Sequence, residues 1–252
     1  TYLSADKQSH LWKDYVDALY RIYQKLGEAF PKVIFQACAS GGGRIDYGIL
    51  PYHHEFWTSD NTDALQRIYI QWGTNHIYPA IATAAHVSIC PNHQTGRSLP
   101  LKFRFDVAMS GRLGLELSPE DMNEEEMHFV NKAVREYKSL RPIVQFGELY
   151  RLSSPYESDY AIFMYVSKDK SHALLFAYKM AHHLGQAMPQ VKLEGLGLES
   201  SYCLREVNKL KGSKDSTWEK KVMSGQSLMN FGLQLQLTKE YSSCLIEFSL
   251  LI

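Results

Sequence analysis

The sequence predicts an α/β region followed by an all-β region, and three observations carry that reading. Short apolar runs alternate with amphipathic helical segments up to about residue 145. Glycine-bearing and polar motifs stand where those apolar runs end. Beyond that point apolar stretches follow one another across small Gly, Ser and Lys turns.

The first element, "QSHLWKDYVDALYRIYQKLGEA" over 8–29, repeats Leu11, Tyr15, Leu19, Ile22 and Leu26 at helical spacing. Ser9 is its expected N-cap, and Pro31 follows its end. "KVIFQAC" reads as a parallel strand buried on both faces, and a glycine-rich loop comes next. "EFWTSD" reads as a short strand ending in polar residues. "NTDALQRIYIQWGT" reads as a helix that starts near Asn61 or Thr62 and stops near Gly73. "IATAAHVSI" and "FRFDVAMS" continue the strand signal. "SPEDMNEEEMHFVNKAVREYKSLR" predicts an amphipathic helix over about 119–140, acidic at its start and basic at its end. The all-β region runs through "YAIFMYVSKD", "HALLFAYKM", "QVKLEGL", "SYCLREV", "SLMNFGLQLQL" and "SSCLIEFSLL".

At 252 residues the chain can build one large domain or two modest ones. Lys plus Arg equals Asp plus Glu at 27 each, so no net field draws it to nucleic acid or a membrane, and neither is an expected partner. Cys38, Cys90, Cys203 and Cys244 lie far apart without a CxxC pair, so neither a zinc ribbon nor a disulfide framework is indicated. No cofactor and no metal are expected.

The chemistry concentrates in two stretches. "SGGGR" lacks the Lys-Ser/Thr ending of a phosphate loop and the spacing of a dinucleotide loop. A close-approaching ligand such as a sugar, or a plain turn, is left. In "WTSDNTD", Asp60 directly follows a strand, where an α/β fold presents catalytic groups, whereas Asp63 suits a helix cap. His86, Cys90 and His93 have metal-like spacing, but Pro91 interrupts them and no carboxylate completes the set, so a structural or substrate-lining role is preferred. "NEEE" at 123–126 is most simply a solvated helix start.

Taken in order, "CASGGGRIDYGIL", "FWTSDNTDALQRIYIQWG", "YPAIATAAHVS", "PNHQTGR", "FRFDVAMSGRLGLEL" and "SGQSLMNFGL" resemble glycoside hydrolase family 36, the α-galactosidases, through nearly the whole chain. The resemblance implies a (β/α)8 TIM barrel of which residues 1–146 form the second half. It also implies a small C-terminal antiparallel β-sandwich domain over 147–252. The implied reaction is retaining cleavage of terminal α-linked galactose, of the melibiose and raffinose type, by two aspartates. Such cleavage needs carboxyl groups about 5–5.5 Å apart.

The family's general acid/base maps to Asp60, and its sugar-side cysteine–glycine loop to Cys38, Ser40 and Gly41. Trp57 joins the substrate-binding set and gives Asp60 an expected apolar setting that would raise its pKa. Ser40 and Gln36 stand where members often carry glycine and glutamate, which bears on sugar choice rather than on reaction type. The family's nucleophile belongs to a Lys-Trp-Asp-x-Asn motif that is absent from these residues. The chain is therefore expected to start just after it and to be inactive alone, with Asp46 the weaker stand-in. A galactoside and further copies in a homo-oligomer are the implied partners. α-N-Acetylgalactosaminidase, a raffinose-type transglycosylase and a non-catalytic carbohydrate-binding fragment are the alternatives.

Overall fold

The structure is a computed structural model that describes residues 2–185 and 190–251. It divides into two compact units, which meet in sequence between Trp57 and Thr58.

In the first unit a 3-10 turn, Ala5–His10, runs into helix α1 (Leu11–Ala29). Ser9 lies inside that turn and does not cap the helix as expected. The turn supplies the preceding carbonyls, and no side-chain cap bond is made at His10. No residue of α1 is buried. Strand β1 (Gln36–Ala37) pairs in parallel with β2 (Glu55–Trp57), Gln36 opposite Glu55 and Ala37 opposite Phe56. The "KVIFQAC" run was expected to be buried on both faces, but Val33 and Ile34 are exposed. They precede the register with β2, so only two residues of the run join the ladder.

The second unit opens with α2 (Ala64–Thr74), β3 (Thr83–Val87), α3 (Leu101–Ala108), β4 (Arg112–Leu115) and α4 (Glu124–Phe146). β3 and β4 pair in parallel, from Ala84 opposite Arg112 to Val87 opposite Leu115. Ala85 and Val87 on one face of this pair pack against Phe105 and Ala108 of α3 and Val130 and Ala133 of α4.

"FRFDVAMS" is thus a helix, not the expected strand. Phe103, Phe105 and Val107 alternate along the sequence, but α3 is buried nearly all round, with Asp106 and Ala108 inside as well. A helix buried on every side loses the stripe that would reveal its period. The true strand is the short "RLGL" that follows.

α4 begins later and ends later than expected. Residues Pro119–Asp121 make a separate 3-10 turn, and Asn123 with Glu126 forms a capping box at the start of α4. The helix continues past Pro142 to Phe146. Proline forfeits a single backbone donor there, while Ile143 and Val144 are buried and hold the last turn to the core.

Strands β5 (Glu148–Ser153), β6 (Tyr160–Val166), β7 (His172–Lys179), β8 (Gln190–Val191), β9 (Ser201–Val207) and β10 (Val222–Ser224) follow. Helix α5 (Gly225–Asn230), β11 (Leu233–Gln234) and β12 (Ser242–Leu250) complete the unit. Six strands form one antiparallel sheet in the order β10-β9-β12-β7-β6-β5, and β8 pairs separately with β11. "SLMNFGLQLQL" was expected to be one strand. Its first half is α5, capped by Ser224 on the Ser227 amide, and Gly232 at φ 82° turns the chain into β11.

Both faces of the sheet are covered. Phe163, Tyr165, Phe176 and Tyr178 pack with Ile68, Trp72 and Phe103 from the helices. Ile162, Met164, Leu175 and Phe248 pack on the other side with Leu193, Trp218 and Leu235. All seven residues of β6 are buried, which explains its unbroken apolar run. Among the described residues no helix is long and apolar enough to cross a membrane.

Candidate active site

The stretch from Ser59 to Asp63 lies at the start of the second unit and is tied down by side-chain hydrogen bonds. The Asn61 amide donates to Ser59 Oγ at 3.1 Å, and the Asp63 amide donates to Asn61 Oδ1 at 3.1 Å. The Thr62 amide donates to Gln94 Oε1 at 3.0 Å, and Asn92 Nδ2 donates to Thr62 Oγ1 at 3.0 Å.

Asp63 is the N-cap of α2, accepting from the Leu65 amide at 2.8 Å and from the Gln66 amide. Its other oxygen accepts from Thr95 Oγ1 and pairs with the Arg97 guanidinium. The Asp63 side chain is fully buried, so this pairing offsets the desolvation of its charge. The "PNHQTGR" loop is therefore the clamp that holds the start of α2. Asn92 organises that loop by accepting from the Gln94 and Thr95 amides, each at 3.0 Å.

Asp60 differs from its neighbours. It is exposed, and among the described residues its carboxylate makes no hydrogen bond or ion pair. The apolar setting expected for it is not what its side chain meets. The strand stops at Trp57, and three residues later the chain has left the buried layer. What the local structure provides is a fixed backbone under a carboxylate that no local contact consumes.

The parallel strand ends of β3 and β4 carry a second polar pair, His86 Nδ1 with Glu116 Oε1 at 2.8 Å. Gly114, opposite His86 in the register, leaves room for the ring: a Cβ there would sit 2.3 Å from His86 Cδ2. Cys90 is exposed with its thiol 3.7 Å from the Leu99 carbonyl, and His93 is exposed on the loop. Among the described residues no group of three or more His, Cys, Asp or Glu side chains could hold a metal ion. Glu116 was missed in the sequence because the carboxylate that answers His86 lies 30 residues away.

The glycine loop belongs to the first unit. Ser40 and Gly41 take left-handed backbone, φ 49° and 77°, and the Gly43 amide donates to the Ala39 carbonyl at 3.1 Å. A Cβ on Gly43 would meet that carbonyl oxygen at 2.6 Å, so the tight turn itself demands glycine. Cys38 is a free, exposed thiol, Gly41 is buried, and Trp57 at the end of β2 is 7% exposed.

Asp46 has structural work. It accepts from Tyr20 Oη at 2.9 Å and from the Ile49 amide at 2.9 Å, tying the loop to α1. Burial and this hydrogen bond push the Tyr20 hydroxyl up to about 12. A carboxylate so committed has little freedom to act as a nucleophile.

Two family models match the chain: one described as melibiase over residues 2–147, and one described as the glycosyl hydrolase family 36 C-terminal domain over residues 160–248. The chain is 41% identical over 231 residues to α-galactosidase C of Emericella nidulans, covering 91% of this chain and 29% of that protein. It is 42% identical over 200 residues to α-galactosidase AgaA of Geobacillus stearothermophilus, covering 79% of this chain and 27% of that one. The solved structure of AgaA superposes with a TM-score of 0.91 at 36% identity, covering all of this chain and 33% of that one. Variants of AgaA have been solved in complex with raffinose and with stachyose. The chain spans about a third of the length of these relatives.

Proposed function

The chain belongs to glycoside hydrolase family 36, and from that premise we propose that the whole protein containing it is a retaining α-galactosidase acting on raffinose-type galactosides. Residues 1–146 are its second barrel half, and 147–252 its C-terminal β-sandwich domain. The two parallel strand pairs of the first region and the antiparallel sheet of the second support that division.

In this reading Asp60 is the general acid/base. It protonates the glycosidic oxygen as the bond to galactose breaks, then takes the proton of the water that releases the sugar. The observation that carries the reading is the contrast within residues 59–63. Every neighbour of Asp60 is anchored, and its own carboxylate is exposed and left over. A group that donates a proton and then recovers one must be fixed in place yet uncommitted. Cys38, Ser40, Gly41 and Trp57 border the galactose. No described residue is assigned as nucleophile, since Asp46 is engaged by Tyr20 and Ile49.

The test is hydrolysis of raffinose by the whole protein, with the first-formed galactose read by NMR. α-Galactose as the first product supports the proposal. β-Galactose, or no turnover of any α-galactoside, overturns it. Transfer of galactose to sugars rather than to water would move the assignment to a transglycosylase. Saturating galactose is also expected to slow alkylation of the exposed Cys38, and unchanged labelling would remove the loop from the sugar site.

A further inference from the structure

Arg67 is a buried cation whose guanidinium bridges two backbone carbonyls on different segments. It is 2% exposed, one turn into α2, and its amide closes on the Asp63 carbonyl at 2.8 Å. The guanidinium reaches back along the helix. Its NH1 donates to the Ser59 carbonyl at 3.2 Å, its NH2 to the Ala84 carbonyl of β3 at 2.8 Å, and its Nε to Gln71 Oε1 at 3.1 Å. Gln71 is held in turn by the Val107 carbonyl at 3.1 Å and Ser110 Oγ at 2.7 Å, so the fork has a braced stem.

Burying this charge is costly, because a guanidinium taken out of water loses its hydration. The cost is visible: burial lowers the Arg67 pKa to about 10, opposed in part by the charge of Glu116. A neutral donor could satisfy one carbonyl at less cost. A rigid planar fork can hold two carbonyls on different segments at a set separation.

One of those carbonyls belongs to the residue directly before Asp60, and the other to a neighbouring parallel strand. On the C-terminal side the same stretch is clamped by Asn92, Gln94 and Arg97. Asp60 is thus the unclamped residue between two clamps.

We infer that Arg67 is a positioning residue for Asp60: by fixing the Ser59 carbonyl to β3, it sets the direction from which the Asp60 carboxyl addresses the leaving oxygen. The inference rests on the assignment of Asp60 as acid/base. It assigns Arg67 no contact with the sugar.

The experiment compares two α-galactosides in the whole protein, an aryl substrate whose leaving group departs without protonation and raffinose, whose leaving group requires it. Asp60→Asn is the reference, expected to lose far more on raffinose than on the aryl galactoside. Arg67→Lys keeps the charge but cannot span both carbonyls. It is expected to show the same selectivity in milder form, with raffinose kcat/KM down roughly 10- to 100-fold and aryl kcat/KM within about threefold. A misplaced acid gives that split, whereas general loosening of the fold does not.

Equal losses on both substrates for Arg67→Lys, beside a selective Asp60→Asn, overturn the inference and leave the functional reading standing. An unselective Asp60→Asn overturns the functional reading and the inference with it. Should Arg67→Lys fail to fold, Gln71→Met, which removes only the brace on Nε, is judged by the same two outcomes.

Discussion

Two exposed aspartates in loops of the second unit make an instructive pair. Asp169, in the turn between β6 and β7, accepts from Ser167 Oγ at 2.6 Å, from Ser171 Oγ at 2.8 Å and from the Ser171 amide at 3.1 Å. Those bonds hold its carboxyl down at about 2. The side chain is consumed in building its own turn. Asp60 has the reverse arrangement, with a turn built by others around a carboxylate that takes no part in it. An aspartate that supplies its loop's hydrogen bonds is structural. One whose loop is complete without it is available for chemistry.

The same contrast extends to the regions around them. The sheet that carries Asp169 is held by apolar packing, and the strand end that carries Asp60 by charged and polar clamps. The largest expected effect tests the apolar side. Phe163 lies among the rings of Trp72, Tyr165, Phe176 and Tyr178, with centroids 5.2–6.2 Å away. Phe163→Ala is expected to lower stability by about 3–5 kcal/mol in urea unfolding without changing the preference among galactosides. A changed preference would break the division between a structural sheet and a chemical strand end.

Next in size is Arg97→Ala, which strands the buried Asp63 carboxylate. We expect a loss of about 3 kcal/mol, the low end for a broken buried pair, because Thr95 and the α2 amides still solvate it. A loss below about 1 kcal/mol would show that the clamp is not electrostatic.

The smallest effect belongs to Asp169. Its folded pKa is depressed, so its turn bonds contribute stability above the unfolded carboxylate pKa and lose it as pH falls toward about 2. The Tm difference between the native protein and Asp169→Asn should therefore be constant near neutrality and shrink below about pH 4. A difference that grows on acidification would contradict the structural role given to this aspartate.

Much of this was legible in the sequence wherever a single period or a local bond decided the outcome. β6, β7 and β12 read as apolar strands because both their faces are covered, and β9 because buried Tyr202 and Leu204 alternate with half-buried neighbours. The cap role of Asp63 was legible because its partners are two and three residues away. α3 was misread because burial on all sides erased its period, and α5 because a six-residue helix sits between apolar stretches.

The site was half legible. Asp60 stood out by its place after a strand, but the Arg67 fork, the Arg97 clamp and the Glu116 partner of His86 join residues 8 to 34 positions apart. No local pattern encodes such bonds. The glycine loop left a sugar ligand and a plain turn both open, and Gly41 and Gly43 serve the turn's own backbone.

The central claim is that the acid/base is the aspartate left over by its own loop. It is tested most directly by measuring raffinose kcat/KM of the whole protein for Asp60→Asn, with Asp46→Asn and Asp169→Asn as controls. A general acid/base contributes on the order of 10²- to 10⁴-fold, so Asp60→Asn should fall by that much while both controls stay within about threefold. If Asp46→Asn falls as far and Asp60→Asn keeps more than about a tenth of native turnover, the claim is contradicted, and the carboxylate held by Tyr20 becomes the one that reacts.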